Sequence, residues 1–87
     1  MKPEAITEDQ LIIKYNKLVD RAVKFKYAKD ALNSFNNEEL FIFIAAKTLE
    51  FGRSFNDSII NARSWINNNS KDKIIQSWTY KDNEGNI

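Results

Sequence analysis

Apolar residues recur at three- and four-residue steps from Leu11 through Tyr15, Leu18, Ala22 and Phe25 to Leu32, with one turn skipped around Lys29. That spacing predicts an amphipathic helix over residues 8–33. Thr7 followed by Gln10 in "ITEDQL" has the form of a capping box, and Glu8 and Asp9 suit the positive end of the helix. "NSFNNEE" reads as the break, with Asn36 and Glu39 offering a second cap. A second helix is predicted over residues 37–67, with one face made by Phe41, Ile44, Thr48, Phe51, Phe55, Ile59, Ala62 and Ile66. "NNNS" ends it. Ser70 then caps a short segment over residues 70–80, which reads either as a helix or, through "IIQSWTY", as a short strand; "KDNEGNI" reads as a frayed tail. The expected fold is one all-α domain over residues 1–87, an antiparallel helical hairpin of two long helices plus a short C-terminal segment.

Seven apolar residues in a row, Leu40 to Ala46, interrupt the amphipathic pattern. A helix apolar all round must be buried all round, and a hairpin offers it one partner helix. Other subunits would cover the rest, so a homo-oligomer is expected; the alternative is a third helix carrying Ile74, Ile75 and Trp78 folded back over that side. Gly52 inside the second helix costs about 1 kcal/mol against alanine and is expected where another backbone comes close.

Composition narrows the function. An 87-residue chain hides only roughly 60–65% of its unfolded surface, which makes self-association a simple way to enlarge the core. A net charge of +1 argues against a dedicated duplex-DNA binder and against an acidic DNA mimic. The apolar run is far short of the ~20 residues that span a bilayer, and the polar opening "MKPEAITEDQ" has no signal-peptide character. No membrane partner is expected, and the absence of cysteine fits a reducing compartment. Asn, Lys, Ile, Phe and Tyr fill 41 positions and Lys outnumbers Arg ten to three, a bias toward AT-rich codons that fits a bacterial or phage genome.

Without His or Cys, the usual general base and thiol nucleophile are missing, no carboxylate cluster has metal-binding spacing, and the glycines, Gly52 and Gly85, form no phosphate loop. The chain is therefore read as a non-enzyme without a cofactor or metal. Binding chemistry remains. "KYNKLVDRAVKFKYAKD" interleaves cations with aromatics, the composition of a surface that stacks bases and pairs phosphates, and equally that of a solvated helix face. Lys47 and Thr48 interrupt the apolar run; a cation there needs a partner, which Glu50, another subunit or phosphate oxygens would provide. Arg53 and Arg63 extend that polar spot.

Residues 37–62, "NEELFIFIAAKTLEFGRSFNDSIINA", resemble the second helix of a hairpin in small phage anti-defence proteins, the anti-CBASS cyclic-oligonucleotide sponges, and the related hairpin of an anti-Thoeris sponge. The matching features are Ala46, Lys47 and Thr48, then Glu50 and Gly52, with Phe55 and Ala62 at packing positions and an "ITEDQL"-like start to the preceding helix. Arg53 departs from the pattern, which has an aromatic there. The resemblance covers residues 6–66. It implies a helical homo-oligomer, commonly a hexamer, acting in the host bacterial cytoplasm. Such a protein captures cyclic di- and trinucleotide immune signals, such as cyclic GMP-AMP, without degrading them. Long nucleic acid is not the implied ligand. Lys47 and Thr48 carry over by motif, while Tyr15, Lys26 and Arg53 are candidates on chemistry alone. Two other classes stay open: an inhibitor of a host protein, docking through an apolar ridge or groove around Leu40 to Phe43, and a weak single-stranded nucleic-acid binder using the Lys/Tyr stripe.

Overall fold

Thr7 and Asn36 start helices in the same way. The Gln10 N–H donates to Thr7 Oγ1 (3.1 Å) and the Thr7 N–H to Gln10 Oε1 (3.1 Å), while the Glu39 N–H donates to Asn36 Oδ1 (2.8 Å) and the Asn36 N–H to Glu39 Oε1 (3.0 Å). Both capping boxes stand where the sequence places them. They open α1 (Glu8–Ala22) and α3 (Asn37–Glu50). Between them lies α2 (Ala28–Asn33), and after them come α4 (Phe55–Asn68) and α5 (Lys71–Lys81). This computed structural model describes residues 6–81, excepting the side chains of Tyr80 and Lys81; the tail expected at residues 81–87 lies, beyond Lys81, outside them.

The chain is all-α, with no strand among the described residues. "IIQSWTY" belongs to α5, where the Lys73 N–H donates to Ser70 Oγ (3.2 Å) and gives the predicted cap. Each of the two long helices expected is interrupted. A helix over residues 37–67 would be about 46 Å long, more than the 34 Å longest extent of the molecule. Its interruption is built from signals that a continuous pattern hid. Gly52 has φ +100° and ends α3 in a Schellman arrangement, with the Gly52 N–H donating to Leu49 O (3.0 Å) and the Arg53 N–H to Thr48 O (3.4 Å). A Cβ at Gly52 would meet nothing within 4 Å, so its backbone conformation, and not a close neighbour, requires glycine. Ser54 then caps α4 by accepting from the Asp57 N–H (3.1 Å).

The other break, at residues 23–27, leaves the helix without glycine or proline; Tyr27 is extended (φ −119°, ψ 140°) and gives α2 no side-chain cap. It redirects the chain so that Ala31, Leu32 and Phe35 reach the core. α3 is the centre of that core. It packs against α4 and α1, while α5 packs against α2 and α4. Leu40, Phe41, Ile42, Ile44, Ala45 and Ala46 are all buried, and Phe43 is half-buried. On the Phe43 side, Tyr15 of α1 (6.0 Å between ring centres), Phe35 (6.0 Å) and Trp78 of α5 (6.3 Å) close around it. The seven-residue apolar run is thus covered within one chain, with α5 standing where the folded-back third helix is the alternative expectation. The need for other subunits to bury it falls away.

Glu39 ties the second cap to α1. Besides accepting from Asn36, its carboxylate pairs with Arg21 Nη2 (2.7 Å). The Asn36 N–H chiefly, and Arg21 after it, hold its pKa below the ordinary 4.5. Because the folded pKa is the lower one, the stabilisation is complete above the unfolded value and is lost as pH falls through the folded one. Urea midpoints measured from about pH 6 down to about pH 3 should therefore fall more in the native chain than in Glu39→Gln. Equal losses in both would show that the cap does not carry this share.

Candidate functional site

Three of the five residues singled out in the sequence converge. Tyr15 and Val19 of α1, Phe25 and Lys26 of the 23–27 connection, Leu32 of α2, and Phe43 and Lys47 of α3 line one groove of about 420 Å³. Tyr15 reaches it because α1 packs on α3. Lys26 reaches it only because α1 stops at Ala22 and the chain bends. Lys47 is half-buried, with Nζ 5.8 Å from the centre of the Phe43 ring, within cation–π range. Glu50, offered as its partner, makes no ion pair with it among the described residues. Lys26 is exposed, with Nζ 5.5 Å from the Tyr27 ring centre.

The groove therefore has aromatic and aliphatic walls and two ammonium groups, and no carboxylate lines it. Such a lining attracts an anion that also carries a flat or apolar body. A larger hollow, of about 760 Å³, runs over Phe41 and Ile42 between Ile6 and Ile66, but Glu38 stands on its rim beside Lys14 and Arg63. Its mixed charges suit a polyanion less well. The smaller groove is the better candidate.

Thr48 and Arg53 lie apart from it. The Thr48 hydroxyl is buried; it donates to Ile44 O (2.7 Å) and accepts from Asn61 Nδ2 (3.1 Å), joining α3 to α4. Ser58 and Thr79 are buried in the same manner, donating to Ser54 O (2.8 Å) and Ile75 O (2.6 Å). Arg53 is exposed in the turn at residues 51–54, and Arg63 lies 5.5 Å over the Phe41 ring.

Two aromatic groove residues were not among the candidates. Phe25 falls on the apolar stripe of a continuous helix yet is partly exposed at the groove, and Phe43 falls within the apolar run. The signal for Phe25 is the alternation "VKFKY", whose period of two does not belong to a helix. No exposed ridge stands at Leu40 to Phe43, where Leu40, Phe41 and Ile42 are buried; the groove expected there as the other form of a protein-docking surface corresponds to the larger hollow, which Phe41 and Ile42 line. Comparisons with family models, curated proteins and solved structures gave no match to this chain.

Proposed function

We propose that the chain is a non-catalytic binding protein that captures cyclic di- or trinucleotides in the Tyr15–Lys26–Lys47 groove, withholding an immune signal from its effector as anti-CBASS sponges do. The observation that carries this reading is the meeting of Tyr15, Lys26, Phe43 and Lys47 on one concave surface free of carboxylates. An aromatic wall receives a base, and the two ammonium groups receive phosphate oxygens. A groove of this size takes one base with its phosphate. Two subunits facing each other would hold the two halves of a cyclic dinucleotide, so a homo-oligomer, a hexamer by the resemblance, belongs to the proposal. Thr48 is left out of the binding set, since its hydroxyl is engaged within the chain.

Thermal unfolding of the purified chain with cyclic di- and trinucleotides, against linear dinucleotides, tests it. Ligand at a hundred times its dissociation constant adds roughly 2.7 kcal/mol per site, which raises the melting temperature of so small a domain by about 10 °C or more. A shift with cyclic ligands alone is expected. Equal shifts with linear controls would reduce the groove to a general anion site, and no shift would end the proposal.

A second reading, inhibition of a host protein, is favoured by the exposure of Phe51 at the end of α3 and Ile60 in α4, neither of which lines the groove. It predicts that Phe51→Ser abolishes capture of that protein while leaving any nucleotide response intact.

A further inference from the structure

We propose that the connection between α1 and α2 is a docking surface for an anionic lipid bilayer. Val23, Phe25 and Tyr27 are 73%, 38% and 55% exposed there, alternating with Lys24 and Lys26. From Arg21 to Lys29 the sequence holds four cations and no carboxylate, although the chain as a whole is nearly neutral. Arg21 is engaged by Glu39, which leaves Lys24, Lys26 and Lys29 exposed, with Asp20 and Asp30 as the bordering acids in sequence and Asp72 of α5 lining a hollow with Lys29.

Charge complementarity selects a negative surface, and the apolar side chains select one with a hydrocarbon layer beneath it. Tyr and Phe settle at the headgroup boundary, and lysine stems lie along apolar material while their ammonium groups reach the phosphates. The backbone of residues 24–27 is irregular, so it gives a folded partner neither a strand edge nor a helical ridge for register. A bilayer demands no register. No described helix is long and apolar enough to cross a membrane, which bears on spanning and not on adsorption to one face. The surface shares Val23, Phe25 and Lys26 with the groove, so the variants are placed at Lys24 and Tyr27, outside the groove lining.

The test is co-sedimentation of the full chain with vesicles of phosphatidylcholine alone and with roughly a third phosphatidylserine. Binding is expected with the anionic vesicles only, and it weakens as salt shortens the screening length. Lys24→Glu should lower the partition coefficient about 20-fold, and Tyr27→Ser about 5- to 10-fold, with melting temperatures unchanged. Tyr27→Trp should gain blue-shifted emission on anionic vesicles. Absence of pelleting at low salt would overturn the proposal. So would pelleting that Tyr27→Ser does not weaken, since that is charge adsorption without insertion. Capture by polyglutamate or single-stranded DNA in place of vesicles would assign the patch to those partners and overturn it as well.

Discussion

Phe35→Ala should unfold most of the chain near physiological temperature, whereas Phe51→Ala should leave it almost unchanged. Phe35 lies between α2 and α3, in what the sequence offers as a connecting break, yet its side chain is 0% exposed. Its ring is 6.0 Å from that of Phe43, and the Arg21 guanidinium covers it at 5.1 Å. Truncating such a ring costs about 3–5 kcal/mol through lost burial and the cavity left behind. A domain of this length has roughly 4–13 kcal/mol of stability in all, so the melting temperature should fall on the order of 15–30 °C. Phe51, 76% exposed at the end of α3, should change stability by no more than about 0.5 kcal/mol. Thermal melts followed by far-UV circular dichroism compare the two directly. A Phe35→Ala variant that melts within a few degrees of the native chain would show that the α2–α3 connection does not seal the core as described.

Lys47→Met should abolish most cyclic-nucleotide binding without loss of stability. Methionine keeps the apolar stem against Phe43 and removes only the ammonium group, so packing in the groove is retained. A charge-assisted hydrogen bond to phosphate is worth about 1.5–3 kcal/mol, and its loss weakens affinity about 10- to 150-fold. Thr48→Val makes the opposite prediction. It removes the donor to Ile44 O and strands the Asn61 amide, which should cost about 1–3 kcal/mol of stability while affinity in the folded fraction persists. Titration calorimetry beside melting curves separates the two. If Thr48→Val loses affinity and Lys47→Met keeps it, the binding surface faces α4 and the groove is the wrong site.

How much of this was legible depends on the range of the interaction. The caps at Thr7, Asn36 and Ser70 could be read because each joins residues three apart. Burial of Leu40 to Ala46 could be read from the lack of any polar face, but its cover only as a choice between other subunits and a folded-back segment carrying Trp78. Trp78 reaches Phe43 across thirty-five positions of sequence, and nothing local in either residue announces the other. Gly52, Ser54 and Asp57 were a legible stop and start, passed over because the apolar spacing runs on through them. The bend at residues 23–27 has no breaker residue, only a change of period. Within the candidate site, Lys47 was reached by motif and Tyr15 by chemistry, and the packing of α1 on α3 brings them together, whereas the place of Lys26 depends on that bend. Thr48 was ambiguous, because a hydroxyl in an apolar run reads alike whether it faces a ligand or a neighbouring helix, and here it bonds to Asn61 of α4.

The central place of α3 also has a consequence for synthesis. Its cover comes from both sides of it in the sequence, α1 before and α4 and α5 after. A ribosome that has just released Glu50 has made the most apolar helix and half of its wrapping. The remaining residues to Thr79 take on the order of seconds to add. The native core therefore closes over α3 only once α5 is free to bring Trp78 onto Phe43.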